Sequence, residues 1–424
     1  MIGLVDGNNF FVSCERVFDR SLVGKAVAVL SNNDGCCVAL SNEMKALGIK
    51  RGTPYFQLRD REARGEIVFR SSNYELYGDL SRRIIEILRE EATEVEQYSI
   101  DEAFIYPPER GGKDAAARRE ELLGYGRALR RKILRWTGIP CGVGFAATKT
   151  LAKIANHLAK KTPGGVYVLA EDIAAVLATL PASEVWGVGR RLEVKLRANR
   201  IVTALALRDA PDDILKAIGG VPLQRTALEL RGVSACDDRD YDADPDSVTC
   251  SRSFGTPVTT LEALGETIAS FLAQGAVKLR RHRRLAAGCN IYAQFAGAGT
   301  DGDFLGRTVM FPAATDATNE MLSAVRDEVA ALWRPGAAYR KSGIVFFGLE
   351  SADAPKQGEL FADDAPRAAS GNRRLYSAID ALNARYGSGR VFAAAEGIKQ
   401  SWRMKRGKLS KRATTNWNEL MTVR

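Results

Sequence analysis

Residues 95–106 read VEQYSIDEAFIY, in which two strand-like arms, Val95–Ser99 and Ala103–Tyr106, flank the acidic pair Asp101-Glu102. A short apolar run, Ile2–Val5, ends at a third acid, Asp6. Around these segments, helical and strand-like patterns alternate as β-α-β-β-α-β with insertions through the first 165 residues. This order is typical of a split βαβ sheet with helices packed on it, and it predicts an α+β fold.

The composition indicates a folded protein with an anionic partner. The chain has 424 residues, 46% hydrophobic and 26% charged, which excludes disordered, collagen-like and disulfide-scaffold classes. Its net charge of +10 favours nucleic acid or another polyanion. From Lys399 to the end there are eight basic residues and one acid, Glu419. Trp402 lies among them, which suits contact with nucleic acid or a protein partner.

Cysteine, histidine and apolar patterns indicate a cytoplasmic protein. Seven cysteines without a CxxC motif and only two histidines argue against a zinc site, and the odd cysteine count suits a reduced compartment. The opening MIGLVDGNNFF lacks the basic region of a signal peptide. Apolar runs stay well below the ~18 residues of a membrane span. We therefore expect no membrane association.

Shifts in composition divide the chain into five segments. Residues 1–165 are mixed α and β, and residues 166–235 have only short helical patterns. An acidic, proline-containing linker covers 236–248, and a second mixed segment covers 249–350. The remainder, 351–424, combines a stretch rich in Ala, Asp, Pro and Gly with one helical pattern and the basic end. The sequence therefore predicts several domains.

The three acids at strand ends have two interpretations. Carboxylates gathered at neighbouring strands form a site for hard cations such as Mg²⁺. Two such ions about 3.5–4 Å apart support in-line phosphoryl transfer. In the alternative interpretation, Asp6 caps the next helix and Asp101 starts a turn. Spacing alone leaves both open.

Two further segments have the chemistry of contacts to DNA. Val185–Gly189 has the hGhG pattern of a helix-hairpin-helix, whose glycines let backbone N–H groups approach a phosphate. Residues 278–284 hold five basic residues and a histidine. An ordinary αα-hairpin and a solvated charged face remain the alternatives. The residues predicted to contact DNA are Gly187, Gly189, Arg190, Arg191, Lys195, Arg280, Arg281, Arg283 and Arg284.

These motifs belong to a series that spans nearly the whole chain. Its members are DGNNFF from Asp6, SNNDGC at 31–36, SSNYELYGD at 71–79, EQYSIDEAF at 96–104, GVGFAATKTLAKIANHLAKK at 142–161, VWGVGRR at 185–191, CSRSFG at 250–255 and GIKQSWRMKRGKLSKR at 397–412. Together they resemble the Y-family translesion DNA polymerases. The last motif is similar to the UmuC branch, whose C-terminal extension other branches lack.

The resemblance implies a multidomain, right-hand polymerase. Residues 1–165 would form a ferredoxin-like palm with a small fingers insertion at about 20–72. A helical thumb with the helix-hairpin-helix would cover 166–235, and an α/β little finger 249–350. The C-terminal extension would cover 351–424.

The same resemblance assigns the catalytic centre. Asp6 and Asp101 would bind two Mg²⁺ ions, and Glu102 would complete the site near the primer 3′-hydroxyl. Gly7 would add its carbonyl oxygen as a metal ligand. These positions predict a DNA-directed DNA polymerase.

Nucleotide contacts are also implied by the resemblance. Phe11 would be the aromatic steric gate that excludes a 2′-hydroxyl, although a buried core phenylalanine is the alternative. Lys160 would contact the triphosphate, with Lys161 able to substitute, and each lysine alone also suits a solvated surface. The residues predicted to bind the incoming dNTP are Phe10, Phe11, Ser41, Lys45 and Lys160.

The implied function is error-prone translesion synthesis in the bacterial DNA-damage (SOS) response. Small fingers residues Ala39, Gly52 and Thr53 would close loosely over the template base, at a cost in fidelity. Expected partners are primer-template DNA, the RecA filament, a UmuD′-type dimer and the sliding clamp. The alternative is a catalytically silent DNA-binding adaptor that recruits partners to the clamp. The clamp-like residues are Gln357, Leu360 and Phe361.

Overall fold

A computed structural model describes residues 1–108, 114–236, 245–297, 304–354, 365–387 and 389–421. These residues form two compact units. The first unit contains the described residues up to 236 together with 407–421, and the second contains those from 245 to 406. Within the described ranges, no helix combines the length and the apolar character needed to cross a membrane.

Strands and helices alternate through the first part of the first unit, and helices follow. The elements of the alternating part are β1 (Ile2–Gly7), α1 (Phe10–Phe18), β2 (Val27–Leu30), β3 (Cys37–Leu40), α2 (Asn42–Ala46), α3 (Arg59–Ala63), β4 (Val68–Ser71), α4 (Tyr74–Glu91), β5 (Glu94–Gln97), β6 (Glu102–Tyr106), α5 (Ala115–Thr137), β7 (Cys141–Ala146), α6 (Lys149–Ala159) and β8 (Val166–Leu169). The helical part contains α7 (Ile173–Thr179), α8 (Arg190–Ala198), α9 (Ala204–Asp209) and α10 (Asp212–Leu230).

The main sheet of this unit is a five-stranded layer in the order β5-β6-β1-β7-β8. Its central strand, β1, is covered on both faces because alternate side chains point in opposite directions. Val5 packs with the core under α1, α4 and α5, whereas Leu4 packs with Leu151 of α6. This arrangement confirms the predicted split βαβ palm with helices on the sheet.

A smaller sheet in the order β3-β2-β4 forms the insertion. It has its own core, in which Ala28 and Leu30 pack against Met44 and Phe69. The hydroxyl of Ser41 caps α2 by accepting from the Met44 N–H at 3.1 Å. The insertion therefore lies between α1 and α4 in the chain, with one face of its sheet on this core and the other, through Val27, Val29 and Ala39, on the palm core.

The four helices α7–α10 share a core with α6. Helix α10 is interrupted at Gly220, which has a left-handed φ of 70°. The fully buried carboxylate of Glu229, near the end of α10, accepts from the Thr150 N–H at 2.9 Å. An acid placed at the first turn of α6 complements the helix dipole there and joins this helical part to the palm.

The second unit is a sheet with two helices packed on it. Its sheet order is β11-β10-β12-β9, and every pair of neighbouring strands is antiparallel. The sheet and helices of this unit enclose one hydrophobic core, and Trp402 is buried in it against Phe254 and Phe271. The elements are β9 (Val248–Val258), α11 (Leu261–Arg281), β10 (Arg284–Phe295), β11 (Phe304–Thr315), α12 (Thr318–Ala331), β12 (Tyr339–Ser351) and α13 (Ala365–Tyr386).

The C-terminal region differs from the prediction of one extension over 351–424. Residues up to Arg406 belong to the second unit, whereas the chain from Gly407 belongs to the first. The physical reason is that Trp402 is anchored in the core of the second unit, while Lys408 and Ser410 hydrogen-bond to the palm and insertion. Trp402 is only 5% exposed, so it does not offer the accessible ring expected from the sequence.

Candidate active site

Two of the predicted acids, Asp6 and Glu102, face each other where β1 and β6 pair, and Asp101 precedes Glu102 in the chain. In this antiparallel register Asp6 lies directly opposite Glu102. The N–H of Gly7 donates to the Asp101 carbonyl at 2.8 Å, which places the acidic pair beside the end of β1. The structure therefore brings together acids that are nearly one hundred positions apart in the sequence.

Two lysines of the α6 segment neutralise these carboxylates. Lys160 Nζ lies 2.8 Å from Asp6 Oδ2, and Lys153 Nζ lies 2.9 Å from Glu102 Oε2. The pKa of Asp6 is raised to about 6, chiefly by burial and also by the neighbouring Glu102, whereas Lys160 opposes the shift. Burial and the second carboxylate both disfavour the charged form of Asp6, which a bound cation would stabilise.

Asp101 is held by a turn. Ser99 Oγ donates to Asp101 Oδ1 at 2.7 Å and accepts from the Glu102 N–H at 3.0 Å. Across the parts of the chain that the structure describes, no three His, Cys, Asp or Glu side chains are grouped as a ready-made metal site. Lysines and Ser99 occupy the carboxylate oxygens instead. The donor set nevertheless fits a hard divalent ion, because carboxylate oxygens are its preferred ligands.

Lys153 was not predicted from the sequence as a site residue. Its ammonium lies 4.1 Å from the ring centre of Tyr98 and 5.2 Å from that of Trp186. Trp186 Nε1 donates to the Tyr98 hydroxyl at 3.1 Å. The glycine hairpin is therefore connected to Glu102 through a cation held against aromatic faces. The sequence signal for it is helical spacing, since positions 149, 153 and 160 recur every four and seven residues.

A second group of cations lies beside Asp6. Lys45 Nζ donates to Asn9 Oδ1 at 2.7 Å. Loss of hydration lowers the pKa of Lys45, and the charges of Lys160 and Arg51 lower it further. Because the charges of Lys160 and Arg51 both act on Lys45, the three cations lie close enough together to suit a polyanion. Arg51 is a second residue that the sequence did not single out, because only the folding of the insertion brings it here.

Two of the predicted nucleotide contacts have structural duties instead. The Ser41 hydroxyl is fully buried, accepting from the Met44 and Val27 N–H groups at 3.1 Å each, so it does not face a ligand. Phe10 is 2% exposed and belongs to the palm core. Ser41 and Phe10 were predicted to contact the nucleotide, but both are buried and instead stabilise the structure around the site.

Phe11 is the half-buried aromatic residue at the start of α1. Its ring stacks on Tyr77 with centroids 4.6 Å apart and an interplanar angle of 17°. Tyr74 meets the same ring edge-on at 5.8 Å. Phe11 is thus a fixed aromatic surface rather than a member of the buried core.

The hairpin between the helical segments has the expected backbone. Gly187 has a φ of 89°, a conformation that favours glycine, and Gly189 is the N-cap of α8. Arg190 and Arg191 are exposed at the first turn of that helix. Lys195 instead donates to the Ile218 carbonyl at 3.4 Å.

The basic stretch at the end of α11 is partly used within the fold. Arg280 makes a two-pronged ion pair with Asp380, at 2.7 and 3.0 Å, and is therefore not free to contact DNA as predicted. Arg283 lies 3.3 Å from Asp353. Arg281 is exposed, and Arg284 is half-buried where β10 begins. The clamp-like residues Gln357, Leu360 and Phe361 lie outside the described residues.

The fold is that of a Y-family DNA polymerase. A Y-family DNA polymerase chimera superimposes with a TM-score of 0.60 and 21% identity, covering 83% of this chain and 100% of that one. An insertion ternary complex of Dbh DNA polymerase gives 0.51 and 20% identity over the same shares. These likenesses confirm the predicted fold class.

Sequence comparisons give the family. Residues 5–157 match the impB/mucB/samB family, 245–360 match its C-terminal domain, and 373–423 match a domain of unknown function, DUF4113. Protein UmuC of Salmonella typhimurium is 39% identical over 100% of both chains, and Protein MucB of Escherichia coli is 36% identical over 99% of both. DNA polymerase IV of Moorella thermoacetica is 31% identical over 91% of this chain and 93% of its own. The chain belongs to the impB/mucB/samB family.

Proposed function

We propose that the protein is an error-prone, template-directed DNA polymerase that extends primers across damaged bases during the bacterial SOS response, in the cytoplasm where its DNA lies. The observation that carries this proposal is the pairing of Asp6 with Glu102, with Asp101 adjoining and a group of cations beside them. Relatives named UmuC and DNA polymerase IV, similar along almost the whole chain, support the same activity.

Asp6, Asp101 and Glu102, with the Gly7 carbonyl, would hold two Mg²⁺ ions. When bound, such ions supply charge neutralisation for the triphosphate and for the attacking and leaving oxygens. The contribution of the chain is placement, because the β1–β6 register and the Ser99 turn fix the carboxylates before any ligand arrives. Lys153 and Lys160 keep the pair of carboxylates from repelling each other in the meantime.

The cations Lys45, Arg51 and Lys160 would bind the triphosphate. Lys160 and Arg51 each repel Lys45, and this repulsion adds to the loss of hydration that lowers the pKa of Lys45. A triphosphate relieves this repulsion and therefore binds more strongly than to any one of these charges alone. With the phosphates held there, the sugar would lie against Phe11, whose ring leaves no space for a 2′-hydroxyl.

Duplex DNA would bind to the hairpin and to the remaining basic residues. Gly187 and Gly189 expose backbone N–H groups, and Arg190 and Arg191 add charge that positions a phosphate without reading sequence. Arg281 is exposed on the second unit and suits the same role. Lys195, Arg283 and Arg284 are further proposed contacts to DNA. The proposed protein partners are a UmuD′-type dimer, RecA and the sliding clamp, the last through Gln357, Leu360 and Phe361.

Low fidelity would follow from the small residues of the insertion. Gly52 has a φ of 85° and no heavy atom within 4 Å of the position that a Cβ would take. A surface with open space there would tolerate a distorted template base and discriminate poorly between correct and incorrect pairs.

Primer extension tests the proposal. The full-length protein should extend a primer opposite an abasic site with Mg²⁺, and chelation of the metal should abolish extension. Asp101→Asn should lower the rate by about 10²–10³-fold, since it removes a charged ligand from the phosphoryl-transfer site. Glu94→Gln, an exposed acid on the neighbouring β5, is the matched control and should leave the rate unchanged. Binding of DNA and clamp without any extension would instead support the adaptor.

A further inference from the structure

Residues 407–411, here called the tail segment, pack into the first unit. The Lys408 N–H donates to Ser71 Oγ at 2.9 Å, and the Ser71 N–H donates to the Lys408 carbonyl at 3.0 Å. The Gly407 N–H donates to Asp34 Oδ2 at 2.8 Å. Lys408 Nζ pairs with Glu62 Oε1 at 2.6 Å. These contacts involve backbone as well as side chains, so the tail segment is fixed along its length.

Ser410 connects the tail segment to the palm by hydrogen bonds. Its hydroxyl donates to Glu15 Oε1 at 3.0 Å and accepts from Asn73 Nδ2 at 2.9 Å. Asn73 is also the N-cap of α4, where its side-chain oxygen accepts from the Leu76 N–H. Glu15 is only 2% exposed, so the hydrogen bond from Ser410 replaces one that water cannot supply.

The same Glu15 oxygen leads to the nucleotide site. It accepts from the Tyr77 hydroxyl at 2.6 Å, and the Tyr77 ring is fully buried. That ring stacks on Phe11 at 4.6 Å. A continuous series of contacts therefore runs from Ser410 through Glu15 and Tyr77 to the face of Phe11.

We propose that the tail segment is a strap that positions Phe11 and so sets the preference for deoxynucleotides over ribonucleotides. This inference rests on the proposed function, in which Phe11 excludes the 2′-hydroxyl. The preference depends on where the ring lies, and Tyr77 is the surface that fixes it. Ser410 and Asn73 are positioning residues here, because neither touches the nucleotide. The strap gives a role to the end of the region that matches DUF4113.

A pair of serine substitutions in the full chain tests the strap. Ser410→Ala removes the donor to Glu15, whereas Ser401→Ala changes an exposed serine nearby in sequence and is the matched control. The readout is kcat/KM for a dNTP divided by kcat/KM for the matching rNTP opposite an undamaged template. Ser410→Ala should lower this ratio about fivefold, the effect of one net hydrogen bond. An unchanged ratio, or an equal fall in the control, overturns the proposal.

A double-mutant cycle separates positioning from general loosening. Tyr77→Phe keeps the stacked ring but removes its hydroxyl, so it should lower the ratio by about the same factor as Ser410→Ala. The two changes together should lower it no further, because they interrupt one series of contacts. Phe11→Ala should remove the preference in either background. Independent, multiplying effects of Ser410→Ala and Tyr77→Phe contradict the strap.

Hydrogen exchange distinguishes failure of the strap from failure of the proposed function. Ser410→Ala should speed exchange of α1 and first-turn α4 amides relative to Ser401→Ala, with or without catalysis. A wild-type protein that does not extend primers refutes the proposed function, and this exchange then decides whether the tail segment positions Phe11. An active wild type with unchanged exchange and an unchanged nucleotide ratio refutes the strap alone.

Discussion

Some residues of the site could be predicted from the local sequence, whereas others could not. Asp6 follows an apolar run and Asp101 lies between two strand-like arms, so their place at strand ends could be predicted. Lys153 and Arg51 sit in ordinary helical or loop patterns, and their partners are brought near only by folding. Glu15 is the extreme case, since its partner Ser410 is 395 positions away.

Glu15 gives a prediction about pH. Burial raises its pKa above the ordinary 4.5, with Asp19 adding to the shift and the Tyr77, Ser410 and Arg70 contacts opposing it. The folded state therefore favours the protonated acid, and this stability is lost as pH rises through the raised pKa. Glu15→Gln keeps the acceptor oxygen and cannot ionise.

Relative to wild type, the free energy of unfolding of Glu15→Gln should improve as pH rises from about 4.5 through the raised pKa of Glu15, and should level off above it. Thermal unfolding from pH 4 to 8 measures it. Exposed Glu94→Gln should show no such trend. A constant difference for Glu15→Gln at every pH would mean that its ionisation is not linked to folding.

Whole elements were more predictable than single contacts. The apolar spacing of Leu76, Leu80 and Ile84 predicts a helix over Asn73–Glu91, and α4 spans Tyr74–Glu91 with Asn73 as its cap. What could not be predicted is the order β5-β6-β1-β7-β8, because strand patterns do not say which strand is the neighbour. That order is what places Asp6 opposite Glu102, so the site followed from the family resemblance rather than from the patterns.

Helix α5 offers two glycines for a matched test of packing. A Cβ at Gly124 meets no atom within 4 Å, whereas one at Gly126 lies 2.7 Å from Val166 Cγ1 and 3.0 Å from Phe145 Cε2. Gly124→Ala should stabilise the protein by about 1 kcal/mol through helix propensity. Gly126→Ala should destabilise it by about 1–2 kcal/mol, since the β-branched Val166 cannot move aside easily. Urea unfolding measures both, and equal stabilisation by the two would contradict the close packing of α5 on the sheet.

At the scale of the whole molecule, the count of 61 lysines and arginines overstates how many cations are free to meet a ligand. Arg280 is paired with Asp380, Lys408 with Glu62 and Arg412 with Glu419. Composition could predict an anionic partner, but it could not tell which cations the fold neutralises itself. Arg190 and Arg191, by contrast, are exposed in the first turn of α8, beside the glycine hairpin, where a phosphate could reach them.

Arg190→Ala combined with Arg191→Ala should therefore weaken binding to primer-template DNA to a similar extent for all sequences. Each lost phosphate contact lowers the magnitude of the negative slope of log K against log salt by about 0.9, so the pair should lower that magnitude by about 1.8. Fluorescence anisotropy from 50 to 200 mM salt measures the slope, a range over which such contacts have large effects. The control is Arg197→Ala on the same helix, whose guanidinium already pairs with Glu193 at 3.0 Å and should contribute little. A slope that stays at the wild-type value, or an equal loss in the control, would place the DNA on another face of the protein.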